Sequence, residues 1–176
     1  MNSATTLPDG ASVAVHAPRL LGLYLLLILV AAIEAFDGLS HAPILFDDMS
    51  KIPGPGLGGS IIKTYIASHP LLALAALALA TVGRLRYAII VLGALVLVTW
   101  LNFMPSVVRH EFDFRGVSAF ETPVRIIAFP LMAACAIALA ARGQRLGLAT
   151  VLVSIPTLYG VFAVIAFGIG VILYGF

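Results

Sequence analysis

An all-α integral membrane protein with five transmembrane helices is the fold class this sequence predicts, on three observations. Uncharged apolar runs extend from Leu20 to Ile33, Thr64 to Gly83, Tyr87 to Val108, Ile126 to Ala141 and Leu146 to Phe176. The composition is 61% hydrophobic and 10% charged with mean hydropathy +1.11, against about 25% charged residues in a soluble domain. The charges fall almost entirely in the gaps between the runs. A spanning helix needs about 20 mainly apolar residues, because each rises about 1.5 Å through about 30 Å of hydrocarbon.

The elements follow in order. Residues 1–17 read as a cytoplasmic tail. The first helix, about 18–37, has a short uncharged core, so its span takes in Glu34 as part of its outermost turn, where a carboxylate reaches the interface at modest cost. No small-x-small cleavage site follows it cleanly: Ala31-Ala32-Ile33-Glu34-Ala35 puts Ile33 or Glu34 where small residues are wanted, so it is read as a retained helix. An outer loop, 38–62, contains Ile44-Leu45-Phe46-Asp47-Asp48-Met49, suited to a short interfacial helix. Pro53-Gly54-Pro55-Gly56-Leu57-Gly58-Gly59 follows, a stretch expected to sustain neither helix nor strand. The second and third helices, about 63–83 and 87–108, meet at a short turn through Gly83-Arg84-Leu85-Arg86. A second outer loop, 109–123, leads to a fourth helix, about 124–142. The fifth, about 146–174, is overlong: its 31 uncharged residues make a rod of roughly 46 Å, to be absorbed by tilt, fraying or a kink at Pro156.

Charge orients the chain. Arg19, Arg84, Arg86, Arg142 and Arg145 fall on one side with Asp9 alone as an acid; Lys51, Lys63, Arg109, Arg115 and Arg125 fall on the other with seven acids. The bases divide evenly, but the positive-inside rule weights short loops, and the two arginine-bearing turns are the short ones. The N-terminus is expected inside and the C-terminus outside, in a bacterial inner membrane. Pro70 to Ala80 parallels Pro130 to Ala140, and both stretches then reach glycine and arginine, a match that fits either a tandem helical-hairpin repeat or the chance likeness of two segments dominated by alanine and leucine.

Nothing in the charge pattern suggests nucleic acid. Cys135, the single cysteine, reads as a small packing residue. His41, His69 and His110 fall on the outer side near several carboxylates. Imidazole with carboxylate suits a divalent metal, which makes His41, His110, Asp47 and Asp48 the metal candidates, although they form no recognised ligand motif. His69, His110 and Arg109 are the cofactor-binding candidates, for haem or quinone. Haem held between two histidines of this chain alone is disfavoured, because no other helix offers an imidazole at matching depth. His69 precedes Pro70, which frees a carbonyl near Ile66, and Asn102 or Glu34 is its expected hydrogen-bonding partner. Trp100 and Tyr65 suit an interfacial belt, and Asn102 suits interhelical bonding.

No catalytic signature appears, so catalytic residues are unassigned. The favoured reading is a non-catalytic subunit or assembly factor of a larger membrane complex, respiratory or redox in character, surrounded by lipid and by partner subunits or further copies of itself. Small residues on the fifth helix, with Ala166 and Gly170 four apart, suit such docking. The alternatives are a redox, metal, haem or quinone protein with an outer site, and an oligomeric transporter of a small solute or ion with Glu34, His69 and Asn102 in its path.

Overall fold

The computed structural model describes residues 11–45, 56–110 and 118–175, and every regular element among them is helical. Helix α1 is Ala11–Ser40, followed by a 3-10 turn at Ala42–Leu45; α2 is Leu57–Thr81 and α3 Leu85–His110. A short α4, Ser118–Pro123, continues through a π-helical turn at Val124–Ala128 into α5, Phe129–Ala141, and α6 is Leu146–Tyr174. Five helices are long and apolar enough to cross a membrane: Leu21–Ser40, Leu57–Thr81, Leu85–Val108, Glu121–Ala141 and Leu146–Tyr174.

One expectation is overturned at the start of α2. Leu57, Gly58 and Gly59 are helical, and Gly59 is buried. Gly56, at φ 100°, supplies the left-handed turn into the helix and its carbonyl receives the Ser60 amide, so the helix begins within the glycine-rich stretch. His69 consequently sits at the middle of a 25-residue helix, deeper than the apolar run alone indicates.

The two hairpins, α2–α3 and α5–α6, are built alike. Ala73, Ala76 and Ala80 are buried on α2, and Ala133, Ala136 and Ala140 are buried at the equivalent places on α5. Both helices end in the same cap. Gly83 at φ 79° donates to Ala80 and Arg84 to Leu79; Gly143 at φ 66° donates to Ala140 and Gln144 to Leu139. This is the paired bonding of a Schellman motif, in which a left-handed residue satisfies the last carbonyls. Arg145 adds one residue to the second turn, at φ 45°. Beyond it the buried positions resume in step: Ala88, Ile89, Leu92 and Val96 on α3 match Ala149, Thr150, Val153 and Thr157 on α6.

Alanine explains the packing. With so little side chain on the buried stripe, backbones approach closely and gain dispersion energy, the main attraction between helices in lipid. At Gly93 of α3 an added Cβ would fall 2.6 Å from Ile137 Cγ1 on α5. At the turn end, Tyr24 donates to the Gly83 carbonyl at 3.2 Å, and Arg86 bonds the terminal Ala141 carbonyl of α5, a favourable place for a cation.

Helix α1 breaks the symmetry of the pair. α3 packs on α5, but α2 and α6 make almost no direct contact, because α1 lies against both. Cys135 faces away from the bundle and is not the packing residue expected.

Candidate functional site

The wedge formed by α1 holds the polar centre of the protein. Glu34 lies six residues before the end of α1, about 9 Å along its axis, and turns inward instead of reaching the interface. The Thr157 hydroxyl of α6 donates to Glu34 Oε1 at 2.6 Å, and His69 Nε2 of α2 stands 3.3 Å from Glu34 Oε2. Three helices thus meet at one carboxylate, and both its oxygens are engaged. The His69 side chain is 5% exposed and that of Glu34 15%. All three residues lie within apolar spans. An ionisable group in such a place is costly and is kept only with a partner.

Local sequence explains how the groups meet. Gly38 lets α1 press against α2 beside the histidine: a Cβ there would lie 2.8 Å from His69 Nδ1 and 2.9 Å from Pro70 Cα. The Tyr65 ring, one turn before His69, leans on the imidazole with centroids 5.1 Å apart. At the loop end, His41 Nδ1 is 2.9 Å from the Asp37 carbonyl and 3.8 Å from its carboxylate. Between these groups opens a cavity of about 80 Å³, lined by Gly38, His41, Ile44, Tyr65, Ile66 and His69 among others.

The arrangement is suited to exchanging a proton. A carboxylate with an imidazole beside it can hold none, one or two protons, and the singly protonated form has no net charge, as an ion pair or as two neutral groups. The threonine hydroxyl stabilises the ionised carboxylate. The cavity formed by the described residues is small against the roughly 300–1,000 Å³ of pockets that enclose drug-sized ligands.

Of the two expected partners for His69, the structure selects Glu34; Asn102 takes no part. His41 reaches the mouth of the cavity. Asp47 and Asp48 lie outside the described residues, as do the side chains of Arg109 and His110 at the end of α3. Among the described residues, no three histidine, cysteine or acidic side chains converge as a metal site. Thr157 went unnoticed in the sequence, where a threonine in an apolar run carries no signal of its own. Trp100 has a role beyond an interfacial anchor. Its indole donates to the Ile126 carbonyl at 2.9 Å, the very group that Pro130 leaves without its helical donor. Nearby, Arg125 pairs with Glu121 and lies over the Phe103 ring.

No protein-family model, curated protein or solved structure matches the chain. The fold and the site define a multi-pass α-helical membrane protein with a buried acid–imidazole pair.

Proposed function

We propose that this protein moves protons, alone or coupled to a small solute, through the Glu34–His69 pair, and that it does so in the N-inside orientation implied by the arginine-bearing turns. The observation that supports this reading is a membrane-embedded carboxylate held at both oxygens by groups from two other helices, one of which, His69, also lines a cavity. Ionisable groups kept within spans mark proton and ion paths, and duplicated helical units with the site between them are a common build for carriers.

The test is proton flux into sealed liposomes containing the purified chain, read by a trapped pH-sensitive dye under an imposed membrane potential. Wild-type chain is expected to conduct, and so is Cys135→Ala, which alters only a lipid-facing residue. Glu34→Gln and His69→Phe are expected to slow flux by about tenfold or more, the effect of raising a barrier by about 1.4 kcal/mol. A wild-type chain with no flux, or variants that conduct as well as wild type, would refute the reading.

A second reading keeps its own support. No residue of α6 beyond Thr157 is buried, and Gly160, Gly168 and Gly170 have no neighbouring atom within 4 Å of an added Cβ. This half-helix suits docking as a subunit of a larger membrane assembly.

A further inference from the structure

We infer that the cavity beside His69 is a hydrated entrance, open only to the loop end of the bundle, through which the Glu34–His69 pair exchanges protons; this deepens the proton-moving reading and rests on it. Its volume of about 80 Å³ has room for a few waters, given that each occupies about 30 Å³ in the liquid. Water is retained where polar groups need partners, and the duplicated hairpins show where one is needed.

Pro70 and Pro130 occupy equivalent places, and each deprives the carbonyl four residues earlier of its helical donor. At Ile126 the donor is replaced by the Trp100 indole, 2.9 Å away. At Ile66, among the described residues, no side-chain donor takes that place, and Ile66 instead lines the cavity. Water is the donor that fits there. His69 and Tyr65 supply further polar groups along the wall, and His41 stands at the mouth beside Asp37.

The opposite direction is closed. From the pair towards the turn end, the buried layer of α1, α2 and α3 consists of Ala31, Ala73, Ala76, Leu92 and similar apolar residues. The hydroxyls of Ser154 and Thr150 on α6 descend that way, but they donate to the Thr150 and Leu146 carbonyls of their own helix. Among the described residues, the titratable groups nearest the pair are therefore Asp37 of α1, His41 of the following turn and Tyr65 of α2, all towards the loop end. In this conformation the pair is loaded from one side.

The test places single cysteines in a Cys135→Ala chain at Ile66, Ile44 and Ile126 and exposes sealed vesicles to silver ion, a thiol reagent of nearly the size of water. Silver is added at one face while trapped glutathione protects the other, and protection against later maleimide labelling is read by intact mass. Ile66→Cys and Ile44→Cys are expected to react from the loop-end face alone. Ile126→Cys, whose backbone needs no water, should react at least about tenfold more slowly, because a thiol without water stays un-ionised. Reaction of Ile66→Cys at neither face while Ile44→Cys reacts, or reaction equally from both faces, would overturn the inference. The labelling reports water and not protons: one-sided labelling of a chain that conducts no protons would uphold the entrance and reject the proton-moving reading.

Discussion

A single hydroxyl decides how the central carboxylate is held. Thr157 stands where the equivalent helix α3 has Val96, so Thr157→Val imposes on α6 the residue its counterpart already tolerates. The change removes a hydrogen bond to a charged or charge-sharing group and is expected to lower stability by about 1.5–3 kcal/mol, measured as unfolding in detergent micelles. Glu34 and His69 should be energetically coupled: in a double-mutant cycle of Glu34→Gln and His69→Phe, the two effects are expected to fall short of additivity by about 0.5–3 kcal/mol. Additive effects would show that the pair does not interact. Both residues were visible in the sequence as ionisable groups in or beside apolar runs, and their pairing was one of two alternatives named. What hid the complete site is that threonine is tolerated anywhere in a membrane helix, and that one residue from each of three helices leaves no spacing to read. Asp47 and Asp48, the acidic half of the proposed metal site, lie outside the described residues, so the metal candidates stay a matter of sequence alone.

At the level of whole helices, the contacts that matter are made where side chains are missing. Gly38→Ala would drive a methyl group into His69 and the Pro70 backbone, and is expected to cost about 1–3 kcal/mol through overpacking and to slow any flux that depends on the pair. Gly160→Ala, where an added Cβ meets nothing within 4 Å, should be neutral or stabilising by up to about 1 kcal/mol through helix propensity. Melting of the two variants in the same detergent separates the effects. Trp100→Phe keeps the ring but leaves the Ile126 carbonyl without its donor, for an expected loss of about 1–3 kcal/mol. Hydropathy made the five spans legible, because the bilayer admits so few other solutions for a backbone. Hydropathy places the start of α2 too late, since glycine and proline signal loop whereas Gly56 is the turn into the helix. The π turn at Val124–Ala128 left no trace, because no residue type in it distinguishes a π turn from the first turn of an α-helix.

The molecule as a whole is a pair of like hairpins made unlike by a fifth helix. Had α2 met α6 as α3 meets α5, the two hairpins would have packed on each other alike at both seams. α1 intervenes instead, and the polar centre lies where it does. The repeat was legible from Pro70 and Pro130 and the alanines that follow them, but its consequence was not, because sequence similarity between two helices says nothing about what separates them. The exposed half of α6 makes a separate prediction. If that surface joins other chains, Gly170→Leu should reduce the mass of the gently extracted particle, measured by native mass spectrometry, while leaving the fold of the single chain intact; an unchanged particle would confine the role of α6 to contact with lipid. Proton exchange by Glu34 and His69 within the membrane is read by infrared difference spectroscopy of the reconstituted chain across a pH step. A carboxyl band is expected that vanishes in Glu34→Gln and moves in both Thr157→Val and His69→Phe. A pH-difference spectrum unchanged by Glu34→Gln would contradict that exchange.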